Sequence, residues 1–190
     1  IKFPFSVKKM VIKNGMVAYT EKAVVSKQTG TVFFKSINGT VSNVTNIKDL
    51  ISKNNLLLLE ASASFMGVSR AHTVWKLPLN SSNGAFDVSG TAGGFNAVSL
   101  NPLIEPLGMT SIKKGTVNKL TFNMTGTDQG AKGSATLLYQ DLKVEVLKTD
   151  SGDVKKKGLQ SLLANVLMKN SNPLNGVTRS DEINYERDKT

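Results

Sequence analysis

The sequence predicts a mainly β fold: one large, strongly curved antiparallel sheet, shaped as a groove or half-barrel, with two or three short helices. Three observations carry this. Apolar and polar residues alternate with period two in run after run between turn residues, which is the pattern of half-buried strands. The gaps between strand signals exceed the ~8–12 residues of an ordinary sandwich, which fits long strands joined by short turns. Small residues recur inside the strands, as in Ala61-Ser62-Ala63-Ser64 and Gly133-Ser134-Ala135-Thr136, where they let a sheet bend tightly.

The elements follow in chain order. Lys9–Tyr19 and Gly30–Val44 form a first strand pair, with Phe33, Ile37 and Val41 expected on one face and Phe34 on the other. Asn14-Gly15 and Asn38-Gly39 interrupt these runs. Both are read as bulges rather than hairpin turns, because β-type composition continues on each side. Asn46–Ser52 suggests a short helix. Leu57, Leu59, Ala61, Ala63 and Phe65 then alternate with Leu58, Glu60, Ser62 and Ser64. Trp75 and Leu77 share a face in the next run, Phe86 and Val88 in the one after, then Leu120, Phe122 and Met124. In the last long run Leu138, Leu142 and Val144 are set against Leu137 and Tyr139. Asn101-Pro102 reads as a helix start, with Asn as the cap and Pro at the first helical position. That helix stops at Pro106-Leu107-Gly108. A second helix is expected over residues 158–169, where Leu159, Leu162, Leu163, Val166 and Leu167 fall on one stripe. A short strand or extended arm follows over Gly176–Tyr185.

The 190 residues suit a single β-groove domain over 1–190, and the chain can bury a real core. Hydrophobic residues make up 39 % and charged residues 20 %, which excludes a disordered tail. No run reaches the ~20 apolar residues of a membrane helix. The first residues lack the apolar core and cleavage site of a signal peptide. With no initiator Met, the chain is expected to be a fragment of a longer protein whose export signal lies upstream. Cysteine is absent, which removes disulfides and thiolate chemistry together. The net charge is +10, but the lysines are spread out except at Lys155-Lys156-Lys157, so they read as solubilising surface.

The sequence carries no recognisable catalytic constellation. The single histidine, His72, would need a nucleophile and an orienting carboxylate to act as a base, and nothing near it in sequence supplies them. One His and no Cys exclude a zinc site. Carboxylates such as Asp87 and Asp141 read as solvated strand faces rather than a glycosidase pair. Gly90-Thr-Ala-Gly93-Gly94 has no following Lys-Ser/Thr and reads as a turn. Motifs for nucleic-acid binding are missing despite the charge. The Asn-x-Ser/Thr triplets at Asn38, Asn43, Asn80 and Asn123 are no more than such a composition produces. Enzyme activity, metal and cofactor are therefore not expected.

Several phrases resemble the AsmA-like proteins of the bacterial envelope, which include TamB-type relatives. They are Val11-Ile-Lys-Asn-Gly-Met-Val-Ala-Tyr-Thr-Glu21, Gly30-Thr-Val-Phe-Phe-Lys-Ser-Ile-Asn-Gly39 with its continuation to Thr45, and Phe86-Asp-Val-Ser-Gly90. Leu100-Asn-Pro-Leu-Ile-Glu-Pro-Leu107, Gly130-Ala-Lys-Gly-Ser-Ala-Thr-Leu-Leu-Tyr139 with its continuation to Val144, and Tyr185-Glu-Arg-Asp188 complete the set. Their order, from Val7 to Asp188, carries more weight than any one of them. The resemblance implies a periplasmic groove, in a protein anchored to the inner membrane by a segment outside this chain. It implies movement of phospholipid towards the outer membrane, or help with outer-membrane assembly. It supplies no catalytic residues.

The candidate groove residues are Phe33, Ile37, Leu57, Leu59, Phe65, Trp75, Leu77, Phe86, Val88, Leu120, Phe122, Leu138, Leu142 and Val144. As a lipid site they would remove acyl chains from water, with lysines at the rim for anionic headgroups. The competing reading makes the same residues an ordinary core closed by the helices. The expected partner is phospholipid or another acyl-chain lipid, with envelope proteins as further partners and no nucleic acid. Rival functions are an assembly factor that captures a β-strand on its sheet edge, and a surface adhesin.

Overall fold

The computed structural model describes residues 3–23, 26–147 and 170–187. The helix expected over 158–169 lies outside the described residues. Among them, one antiparallel sheet dominates. Its strands are β1 (Ser6–Lys22), β2 (Thr29–Thr45), β3 (Leu56–Phe65), β4 (Ser69–Pro78), β5 (Phe86–Ala92), β6 (Phe95–Asn96), β7 (Thr110–Thr127), β8 (Gly130–Val146) and β9 (Asp181–Glu186). The order across the sheet is β1-β2-β3-β4-β5-β7-β8-β9, a simple meander, with β6 also pairing β7. β5 and β6 lie along the same edge of β7, broken at Gly93-Gly94. Helix α1 (Lys48–Lys53) links β2 to β3, and a 3-10 turn (Ala97–Leu100) leads into α2 (Asn101–Gly108). No described helix is long and apolar enough to cross a membrane.

Both Asn-Gly pairs lie inside continuous strands. Asn14 takes a left-handed φ of 50°, and the β1–β2 register shifts around Gly15. In β2 the irregularity falls earlier than expected, between Lys35 and Asn38, with Ser36 at φ 50°. In β8, Asp141 adopts φ 52° where the β7–β8 register shifts. A bulge adds one residue to one strand, so the side chains beyond it change walls.

The sheet curves around α2. This helix packs against β1 and β2 and also against β7, although β2 and β7 are four places apart in the sheet. At ~4.8 Å per strand the flat separation would be ~19 Å, more than a helix ~10 Å across can bridge. On the β2 side, Leu107 lies on Gly30, where an added Cβ would come within 2.6 Å of its Cγ, and the Ser26 hydroxyl donates to the Pro106 carbonyl at 2.6 Å. On the β7 side, Asn101 clamps Ile112: its Oδ1 accepts the Ile112 N–H at 2.8 Å and its Nδ2 donates to the Ile112 carbonyl at 2.9 Å. Asn101 was expected to cap its own helix. It instead ties the helix to the sheet, and Asn96 caps the preceding turn by accepting from the Val98 N–H. The buried cluster beneath is Phe95, Ala97, Ile104, Ile112, Val117, Tyr139 and Leu142.

Glycines let aromatic rings lie flat on the sheet. An added Cβ at Gly90 would come 2.6 Å from the Phe122 ring and 2.8 Å from the His72 carbonyl oxygen. Gly126 sits under Phe86 in the same way. The C-terminal segment is pinned by Asn172, which is only 4 % exposed. Its backbone exchanges hydrogen bonds with Tyr139. Its side chain donates to the carbonyls of Leu137 and Arg179 and accepts the Arg179 N–H.

Gly90→Ala should therefore lower unfolding stability by ~1–3 kcal/mol, as overpacking does. Urea unfolding followed by circular dichroism measures it; an unchanged midpoint would show that the Phe122 ring is free to move aside.

Candidate functional site: the apolar wall

Residues that are register partners in an antiparallel sheet face the same wall, and successive residues alternate. Following the partners across the sheet sorts every strand. One wall carries Ile37, Val41, Leu57, Leu59, Trp75, Leu77, Phe86, Val88, Leu120, Phe122 and Met124. The opposite wall carries Lys35, Asn38, Glu60, Ser62, His72, Lys76, Asp87, Ser89, Asn123, Lys132 and Ser134. It is polar, though Val11, Leu58 and Val74 lie among these side chains.

Two expected wall residues face the other way. The Ser36 bulge puts Phe34, not Phe33, on the wall with Ile37. Phe33 lies on the polar side, with the Lys35 ammonium 4.9 Å from its ring centroid. Likewise Leu138 pairs with Lys119 on the polar side, while Leu137 and Tyr139 share the apolar wall with Leu142 and Val144. The bulge at Asp141 makes that possible. The signal was in the sequence: Phe34-Lys35-Ser36-Ile37 and Tyr139-Gln140-Asp141-Leu142 each place two polar residues between apolar ones. In an unbroken strand such a pair would turn the apolar face over.

Both readings of the wall hold, in different halves. Leu142 is buried beneath α2 and the 3-10 turn, and Phe65 and Val144 pack on that cluster. The Phe34, Phe65 and Phe95 rings pack in series there, tilted and then edge-on, at 5.5 and 6.0 Å between centroids. That half is a closed core. The other half has no helix over it among the described residues. Ile37, Leu57, Leu59, Trp75, Leu77, Phe86, Leu120 and Phe122 are half-buried there, and Val88 is buried. Trp75 and Phe86 pack with ring centroids 5.9 Å apart. The result is a trough floored by aromatic rings and aliphatic side chains, blocked at one end by α2. Beside the far end, Lys48, Ile51, Lys53, Asn54, Asn55 and Asn80 line a cleft of about 730 Å³.

On the polar wall the register brings together groups that are separate in sequence. Ser62 Oγ lies 3.2 Å from His72 Nδ1, and His72 Nε2 lies 3.7 Å from Glu60 Oε1. The His72 and Glu60 side chains are 43 % and 58 % exposed. Such an exposed pair contributes little to stability, and the contact is an ion pair only when the imidazole is protonated. No group of three or more metal-ligating side chains occurs among the described residues.

Tyr19 on β1 donates a hydrogen bond to Glu21 Oε2 at 3.3 Å. The Glu21 charge, and next this bond, raise the Tyr19 pKa above the usual phenol value; Tyr185 on β9 adds a smaller push in the same direction.

In comparisons with known proteins, no family model, no curated protein and no solved structure matches the chain.

The raised Tyr19 pKa has a defined sign. The fold favours the neutral phenol, so the contribution is complete below the ordinary phenol pKa and is lost as pH rises through the raised value. Ultraviolet titration compared with that of a Tyr19→Phe variant should show Tyr19 ionising late, and Glu21→Gln should return it towards the ordinary range. A profile indifferent to that substitution would place Glu21 away from the hydroxyl in solution.

Proposed function

We propose that the open half of the trough binds the acyl chains of a phospholipid, within a longer AsmA-like envelope protein that transfers lipid to, or maintains, the outer membrane. One observation carries this reading: a continuous wall of half-buried apolar side chains, from Leu57 and Leu77 to Phe122, with no covering helix among the described residues. Contiguous uncovered apolar surface of this kind marks an interaction site. A seated acyl chain gains roughly 0.8 kcal/mol per buried CH₂. Its shape also suits a trough floored by flat rings. Lys48 and Lys53 lie beside the far end, where an anionic headgroup would find opposite charge. The apolar wall offers a chain tail no specific polar contact, so the reading supports selection by length and headgroup charge rather than by one lipid's structure.

Protein purified from its native envelope should yield phospholipid in a solvent extract analysed by mass spectrometry. Leu59→Lys should cut the bound amount tenfold or more, a loss of at least ~1.4 kcal/mol. Leu138→Lys, on the polar wall, should leave it unchanged. Protein that is always empty, or equal loss in both variants, would sink the proposal.

A further inference from the structure

We propose that β1 and β9, the two strands that end the sheet among the described residues, are built to pair with each other within one molecule, closing the trough into an eight-stranded barrel. The inference stands whether or not the trough holds lipid.

Strand count comes first. The path from β1 to β9 has eight strands, every neighbouring pair antiparallel. With an even number the last strand runs opposite to the first, so a β1–β9 ladder would also be antiparallel and would continue the pattern. Eight is also the number at which a barrel interior is filled by side chains or holds one small ligand.

Charge comes second. β1 carries Lys8, Lys9, Lys13 and Lys22 against one carboxylate, Glu21. β9 carries Asp181, Glu182 and Glu186, with no basic residue inside it. On the polar wall β1 presents Lys9, Lys13 and Lys22 while β9 presents Glu182 and Glu186, and an antiparallel register with Tyr19 opposite Tyr185 sets Lys22 opposite Glu182; on the apolar wall β1 presents Met10, Val17 and Tyr19 with Lys8 and Glu21, while β9 presents Ile183 and Tyr185 with Asp181. Pairing either edge with its own copy would set like charge against like charge, which is unfavourable across a ladder.

Exposure comes third. β1 is a 17-residue edge strand with Val11, Val17 and Tyr19 close to 60 % exposed. A long apolar edge of that kind is normally blunted or covered. The sheet already bends enough for α2 to touch both β1 and β7, and the phenols of Tyr19 and Tyr185 are near enough to influence each other.

The chain has no cysteine, so introduced thiols report cleanly. The double variant Tyr19→Cys with Tyr185→Cys, and a second pair on the polar wall, Thr20→Cys with Asn184→Cys, would be treated with a short bis-maleimide. The products are a cross-linked monomer or a cross-linked dimer, separable by denaturing gel, with circular dichroism confirming β content. The expected product is the monomer. Its yield should fall several-fold in salt on the order of 0.5 M, where charges are screened, and on Glu182→Lys, which sets two lysines face to face. Adding Lys22→Glu to that variant should restore it, because the register of both cross-linked pairs sets Lys22 opposite Glu182. A dimer as the main product would assign the edges to a second copy and overturn the proposal. So would no cross-link from either pair, or a yield indifferent to charge reversal.

Discussion

A side chain on a strand can face only one of two walls, and a single inserted residue exchanges them. The apolar wall depends on that constraint being met on every strand at once. β1, β2 and β8 each run for 17 residues, too long to keep a straight two-residue alternation while the sheet bends. The left-handed residues Asn14, Ser36 and Asp141 reset the alternation where polar residues come in pairs. Without the reset at Ser36, Ile37 and Val41 would face the solvent wall and the wall's continuity from β1 to β3 would be lost. Each bulge also adds local twist, so the residues that correct the facing contribute to the curvature.

Curvature then determines what α2 can do. The helix is eight residues long with Pro106 inside it, too short to be stable alone. Its stability comes from packing: Leu107 lies against Gly30, and Ile104 is part of the buried cluster. The Asn101 clamp sets its position relative to β7. A flat sheet would offer only one of these supports. Helix and bend stabilise each other, and the buried cluster sits where they meet.

Much of this was legible in the sequence. All the long strands, the early short helix and the stop of α2 at Gly108 follow from alternation and turn chemistry. The facing of Ile37, Leu57, Leu59, Phe65, Trp75, Leu77, Phe86, Val88, Leu120, Phe122, Leu142 and Val144 was legible too. Phe33 and Leu138 were misplaced because alternation was carried through Ser36 and Asp141 unbroken, although the paired polar residues Lys35-Ser36 and Gln140-Asp141 marked the slips. The Asn101 clamp was not legible, because its partner Ile112 lies on another element and an Asn before Pro has the local form of a cap. Nor was the Ser62-His72-Glu60 grouping, which exists only through the β3–β4 register. The division of the wall into covered and open halves required the placement of α2.

The half of the wall that the described residues leave uncovered carries a thermodynamic mark. The heat capacity of unfolding grows with the apolar surface newly hydrated when the chain opens. Side chains such as Leu59, Trp75 and Phe122, already partly in contact with solvent, add less to that change than enclosed ones would. Stability should accordingly vary less steeply with temperature than in a sealed domain of equal size, with a shallower maximum. Anything that seals the wall would steepen the curve again.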